Sequence, residues 1–125
     1  MGPFIANHDT PFADMPNGKL EDTLHVLAIT RLMQPNALLP ATTALGSINK
    51  TGREQGILAG GNVVMPNLSP TSVRAKYALY DGKICTGDEA AECIMCLTRR
   101  VETTGNHIAN VRGDSKVEFK DKSTL

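Results

Sequence analysis

Aromatic residues are scarce in this 125-residue chain, which has no tryptophan, two tyrosines and three phenylalanines. It has no net charge either, because thirteen basic and thirteen acidic side chains cancel. Proteins that bind nucleic acid ordinarily present a basic surface, and those that bind single strands add aromatic rings on which bases stack. Both absences predict that nucleic acid is not a partner.

Long apolar runs are also absent. No stretch approaches the roughly 20 residues that cross a bilayer. The first residues, MGPFIANHDTPF, have neither the basic nor the apolar region of a secretory signal. We therefore expect no membrane partner and a cytoplasmic location, where a reducing environment disfavours disulfides among the three cysteines.

Three short apolar runs predict β-strands. They are GPFI (2–5), ALLPATTAL (37–45) and NVVMP (62–66). None alternates cleanly between polar and apolar residues, a pattern typical of strands that are covered on both faces. Because a helical stretch follows each run, the sequence predicts an α/β fold of three parallel βα units.

The helical stretches are predicted over residues 19–33, 52–61, 69–80 and 88–105. The first places apolar residues on one stripe at spacings of three and four, namely Leu20, Leu24, Leu27, Ala28 and Leu32. The last would be a C-terminal helix outside the three βα units. Three such units leave two unpaired sheet edges, which predicts either self-association through those edges or a place in a longer protein.

All three cysteines lie in one segment, KICTGDEAAECIMCL (83–97). Cys93 and Cys96 are three residues apart on a predicted helix and so share a face, and Cys85 lies just before that helix. Three thiolates could bind a soft metal or an iron–sulfur cluster, with His107, water or another chain as fourth ligand. The alternative is three small buried side chains. Their spacing alone does not choose between the two.

Three segments, taken in order, resemble a known family. They are MGPFIANHDTP, LPATTALGSINKTGREQGILAGGNVVMPNLSP and YALYDGKIC. Together they are similar to the C-terminal part of radical S-adenosylmethionine (SAM) enzymes of the biotin synthase family, and among these to the HydE-type maturases of iron–iron hydrogenase. The resemblance implies that residues 1–104, a BATS-type region, form the last part of a (β/α)8 TIM-type barrel. Residues 105–125 would then be a polar C-terminal tail.

The resemblance also implies roles for individual residues, none of them catalytic. Six would line a substrate cavity: Ile5, Thr42, Thr43, Met65, Tyr77 and Tyr80. Three would hold an accessory iron–sulfur cluster, as in some members of the family: Cys85, Cys93 and Cys96.

The chain lacks the C-x3-C-x2-C loop that in this family holds the reactive [4Fe–4S] cluster and leaves one iron open for SAM. We therefore expect that cluster and SAM only in a full-length parent, and no enzymatic activity from this chain alone. The resemblance implies a substrate-cavity part whose partners are the N-terminal barrel portion and a small-molecule substrate. Two alternatives stay open: a fragment of a biotin synthase-like sulfur-insertion enzyme, and a non-catalytic module that self-associates.

Overall fold

A computed structural model describes residues 1–77, 79–85, 90–109 and 111–115 of the chain. The elements in these residues, in chain order, are α1 (Leu20–Met33), α2 (Thr43–Ile48), α3 (Gly52–Leu58), α4 (Thr71–Arg74), a 3-10 helix (Ala75–Tyr77) and α5 (Ala90–Glu102). Helix α3 packs against α1, α2 and α5. No helix within the described ranges is both long and apolar enough to cross a bilayer.

The predicted α/β fold of three parallel βα units, and with it the partial TIM-type barrel, is wrong. The described part of the chain contains no strand. The runs 37–45 and 62–66 meet at a single parallel bridge, between Pro40 and Val63. There the Ala41 N–H donates to the carbonyl of Val63 at 2.9 Å, and no ladder continues from it.

Proline and an early helix start explain why the apolar runs do not become strands. Each of the three runs contains a proline, which has no N–H to donate to a ladder. These prolines are Pro3, Pro40 and Pro66. In the second run the extended conformation ends after Thr42, because α2 begins at Thr43. The first run bonds to the loop before α1 instead, where the Gly18 N–H donates to the carbonyl of Phe4 at 2.8 Å.

Helix α1 confirms the prediction over 19–33, but the predicted stripe is only partly buried. Leu20 and Leu27 are buried, whereas Leu32 is 83% exposed. Other large apolar side chains of α1 are exposed as well, namely Val26, Ile29 and Met33. Helices that are apolar on more than one face ordinarily pack on more than one side. Helix α1 therefore carries an apolar face that the described residues leave open.

The remaining predicted helices are present in the structure, but they are shorter than the sequence predicts. Helix α3 is shorter than the predicted stretch 52–61, and the stretch 69–80 gives only α4 and the short 3-10 helix. Helix α5 lies within the predicted stretch 88–105, of which residues 88 and 89 are outside the described residues. The other residues outside them are 78, 86, 87, 110 and 116–125. Gly105 follows α5 with a φ of 76°, a conformation that favours glycine after a helix.

The core is small and is built mainly from leucine. Leu20, Leu27, Leu39, Ala41 and Leu45 form one buried cluster. Leu27 and Leu45 are fully buried at its centre. Helix α5 buries a second set at spacings of four, namely Cys93, Leu97 and Val101. Because these three share one face of α5, the spacing that buries Leu97 and Val101 also turns Cys93 inward.

Candidate metal centre

The three cysteines occupy different environments around the start of α5, and all three are free thiols. Cys93 is buried and Cys96 is exposed, because the two residues lie on either side of the boundary of the buried face of α5. Cys85 is half-buried in the turn before the helix and has a φ of 61°. A non-glycine residue in this left-handed region is uncommon, and such backbone strain is concentrated at functional sites.

Arg53, near the start of α3, reaches the thiol of Cys85. Its Nη2 donates to the Cys85 Sγ at 3.0 Å. The side chain is 4% exposed, and its Nε has no hydrogen-bond partner. No carboxylate within the described ranges forms an ion pair with it. Since a buried charge without a counter-charge is costly, the sulfur of Cys85 is the atom placed to balance it.

Asn67, which follows Pro66, connects the turn at Cys85 to helix α5. Its Nδ2 donates to the carbonyl of Cys85 at 3.1 Å, and its backbone N–H donates to the Cys93 Sγ at 3.4 Å. Arg74 in turn donates from Nη2 to the carbonyl of Asn67 at 3.2 Å. One asparagine therefore sets the positions of two of the three cysteines.

Arg100 and Glu54 join α5 to α3 beside the cysteines. Arg100 Nε lies 2.7 Å from Glu54 Oε1, and Nη2 donates to Oε2 at 3.0 Å. The pKa of Arg100 is raised, chiefly by the hydrogen bond that it donates to Glu54, while desolvation opposes the shift. The charges of Glu54, Cys96 and Cys85 add to the increase in the pKa. A second guanidinium thus lies within electrostatic reach of two of the sulfurs.

These surroundings fit a thiolate-ligated metal chemically, although the ligands are not gathered. Among the described side chains, no three of His, Cys, Asp or Glu are grouped so that they could hold a metal ion. His107, the predicted alternative fourth ligand, is exposed beyond the end of α5. Yet N–H groups donate to the sulfurs of Cys85 and Cys93, and such donors and nearby cations stabilise thiolates and clusters bound by them. Ligation by all three cysteines stays a prediction.

None of the six predicted cavity residues lines the open cavity between the N-terminal segment and α1. Ile5, Thr42, Thr43 and Tyr80 are half-buried, whereas Met65 and Tyr77 are exposed. An open cavity of about 250 Å³ lies between the N-terminal segment and α1, and it is lined by other residues, among them Phe4 and Val26. The Thr42 hydroxyl is buried without a hydrogen-bond partner. Their role in a substrate cavity stays a prediction.

Sequence reasoning did not identify the residues that contact the cysteines. Arg53 and Asn67 lie in the segments GREQG and NVVMPN, which contributed to the family resemblance without being given a role. The sequence signal that could have identified Arg53 was the pairing of an arginine with a glutamate between the two glycines of the segment GREQG. Nothing local distinguished Arg100 from its neighbour Arg99.

A second polar cluster connects the N-terminal loop to the turn before Cys85. His8 Nδ1 lies 2.8 Å from Asp81 Oδ1, and the His8 backbone N–H donates to Asp81 Oδ2 at 3.1 Å. Asp9 Oδ1 lies 3.4 Å from the other ring nitrogen. The pKa of His8 is raised, first by the hydrogen bond to Asp81 and then by the charge of Asp9. The same hydrogen bond lowers the pKa of Asp81.

Replacing Asp81 with asparagine is expected to lower the pKa of His8, because the hydrogen bond to a carboxylate is then lost. The ion pair gives its full contribution to the stability of the fold between the ordinary pKa of Asp81, 3.8, and the ordinary pKa of His8, 6.5. It is lost as pH rises through the raised pKa of His8, or falls through the lowered pKa of Asp81. NMR titration of the His8 imidazole measures the change in its pKa. Asp14→Asn is the control, since Asp14 is an exposed carboxylate of the same loop. An unchanged midpoint in Asp81→Asn would contradict the pairing.

Comparison with known proteins agrees with the motifs. No protein-family model matches the chain. The [FeFe] hydrogenase maturase subunit HydE of Thermotoga maritima is 40% identical to it over 120 residues, which is 96% of this chain. The chain spans about a third, 34%, of the length of that relative. The predicted resemblance is thereby confirmed: over nearly its whole length, this chain is similar to part of an [FeFe] hydrogenase maturase subunit.

Proposed function

We propose that this chain is the C-terminal, substrate-cavity part of a HydE-type maturase of [FeFe] hydrogenase, a radical SAM enzyme. We further propose that Cys85, Cys93 and Cys96 bind an accessory iron–sulfur cluster. In the parent protein, the reactive cluster and SAM supply one-electron chemistry. The residues of this chain would contribute part of the wall around the substrate, with the remaining protein as their partner.

The observation that carries the proposal is the convergence of three motif segments on the cysteines. Arg53 of GREQG and Asn67 of NVVMPN both contact Cys85 of YDGKIC, through its Sγ at 3.0 Å and its carbonyl at 3.1 Å. These segments are up to 32 residues apart in the chain. Contacts among motif residues that are distant in sequence support a shared site, since separate surface features would have no reason to meet.

Among the predicted cavity residues, Thr42 is the one for which the structure gives specific support. Its hydroxyl is buried and lacks a partner, and a buried hydroxyl without a partner carries a desolvation cost. A polar group of the substrate would relieve that cost. We assign Thr42 to substrate orientation on this ground, with Thr43 beside it at the start of α2.

The exposed apolar face of α1 supports a place in a longer protein. Val26, Ile29, Leu32 and Met33 are exposed on it. The chain spans about a third of the length of its relative, so the parent has further protein with which to cover this face. The alternative of a self-associating module would use the same face, because the described residues form no sheet edge.

Anaerobic iron–sulfur reconstitution of the purified chain tests the cluster. We expect wild type to bind iron and to show the visible absorption of a cluster. Each of Cys85→Ser, Cys93→Ser and Cys96→Ser should lose most of that iron, because a cluster held by three protein thiolates loses one of its ligands. Thr98→Ser, a conservative change on the same helix, is the control and should bind iron as wild type does.

Different outcomes separate the alternatives. A triple cysteine variant that retains the iron of wild type would rule out the cluster. Iron loss on substitution of Cys93 and Cys96 but not Cys85 would favour the biotin synthase-like alternative. Light scattering over a range of concentrations addresses self-association, because a dimer that disappears in Leu32→Ser would favour the self-associating module.

A further inference from the structure

We infer that the contacts between His8 and Asp81 form a pH-sensitive clasp, which attaches the N-terminal loop to the turn before α5 and weakens as the pH rises. The N-terminal loop is residues 6–17, and the turn is residues 79–85. The clasp requires neither a cluster nor a substrate. The inference therefore goes beyond the proposed function, and each of the two can fail without the other.

Asp81 contacts the loop through both its side chain and its backbone. One carboxylate oxygen accepts the backbone N–H of His8 at 3.1 Å, and the other lies 2.8 Å from Nδ1 of the same residue. The backbone N–H of Asp81 donates to the carbonyl of Ala6 at 3.0 Å. The contacts with His8 bridge 73 positions of the sequence. They join the first of the three motif segments to the third.

The loop has little else of an apolar kind to hold it in place. Residues 8–17 are all exposed, and an edge contact between the rings of Phe4 and Phe12, with centroids 6.4 Å apart, involves two exposed side chains. Other hydrogen bonds of the loop are local, such as those from the N–H and hydroxyl of Thr10 to the carbonyl of Asn7. Segments with few buried apolar contacts open readily, so the attachment of this loop depends on polar contacts.

Two carboxylates face the two ring nitrogens of His8. Asp81 lies at Nδ1, at 2.8 Å, and Asp9 of the loop itself lies at Nε2, at 3.4 Å. A protonated imidazole has an N–H at both nitrogens, whereas a neutral one has a single N–H. When His8 loses its proton, one carboxylate oxygen therefore faces a nitrogen lone pair, and the attraction between opposite charges is lost at both. These two are the charged groups that act on the pKa of His8 among the described residues.

The direction of the pH effect follows from the same contacts. The pKa of His8 is raised, first by the hydrogen bond to Asp81, so the clasp has its full strength below the ordinary value of 6.5. It weakens as the pH rises through the raised pKa of His8. At the acid end, the lowered pKa of Asp81 keeps that carboxylate charged below its ordinary value of 3.8. The loop is therefore attached most firmly at mildly acidic pH, as expected of a histidine switch.

Hydrogen exchange of the full chain, followed by NMR, tests the clasp. The backbone N–H groups of His8 and Asp81 are the probes, because both donate across it. Their protection factors, which are corrected for the effect of pH on the intrinsic exchange rate, are compared below and above the titration midpoint of the His8 imidazole. Protection in wild type should fall by about two- to five-fold across that midpoint, the effect of losing an exposed ion pair.

Three variants separate the clasp from a general effect of pH. His8→Gln keeps a side chain that can donate a hydrogen bond but does not titrate, so its protection should not change with pH over this range. Asp81→Asn should lose most of the pH dependence, because the carboxylate is gone. His25→Gln is the matched control, since it makes the same change at an exposed histidine of α1 and should behave as wild type does.

Wild-type protection that stays constant across the midpoint overturns the inference, and so does a pH dependence that survives in His8→Gln. Probe amides that exchange below the midpoint as fast as in an unstructured peptide overturn it as well. Circular dichroism establishes that each variant is folded, and the wild-type profile decides if a variant is not. A chain that binds no iron overturns the proposed cluster and leaves the clasp as it is.

Discussion

Replacing Leu45 with alanine is expected to destabilise the protein by about 2–5 kcal/mol, the range found for Leu→Ala changes in cores. Leu45 is fully buried in α2, and among the described residues its core cluster has four other buried members, Leu20, Leu27, Leu39 and Ala41. Its Cδ1 also lies 2.8 Å from the position of a methyl group built on Gly56, so α3 packs directly onto it. A cavity at this point would therefore remove contacts from two helices at once.

Urea unfolding followed by circular dichroism measures this effect, because the chain has no tryptophan to report on folding. With the usual urea dependence of a small protein, the midpoint should fall by roughly 1–2 M. Leu32→Ala is the matched control, since it makes the same chemical change at a side chain that is 83% exposed. Equal shifts in the two variants would contradict the burial of Leu45.

Replacing Gly52 with alanine is the second change with a large expected effect. A methyl group built on Gly52 would lie 2.1 Å from the carbonyl oxygen of Leu45 and 2.7 Å from its carbonyl carbon. That oxygen accepts the N–H of Asn49 at 3.0 Å, at the C-terminal end of α2. Backbone cannot yield as a flexible side chain does. We therefore expect a loss of about 3 kcal/mol, near the upper end for overpacking.

Gly56→Ala is the control for Gly52→Ala, because both add one methyl group to a buried glycine of α3. At Gly56 the nearest atom is the Cδ1 of Leu45, the end of a flexible side chain. Alanine is also the better helix former, by about 1 kcal/mol within a helix. Thermal or urea unfolding should therefore rank Gly52→Ala well below Gly56→Ala in stability. The reverse order would mean that α2 and α3 do not approach as closely as described.

Helices were the predictable part of this fold, because the signals that form them are local. The leucine spacing of α1 lies within the helix itself, and both α1 and α5 form where expected. Helix α2 was missed, because the β-branched pair Thr42-Thr43 was interpreted as the end of a strand. The three apolar runs contain Pro3, Pro40 and Pro66, and these prolines were the readable signal against a regular ladder.

The sequence by itself determined the family resemblance, the positions of the main helices and the gathering of all thiols into residues 85–96. Only the tertiary structure decided which residues surround those thiols. Arg53 reaches Cys85 across 32 residues, and Asn67 reaches Cys93 across 26. The physical reason is the separation along the sequence between the residues that interact. Helix periodicity is set by residues three or four apart, whereas a strand partner or the counter-charge of a buried guanidinium comes from a distant segment.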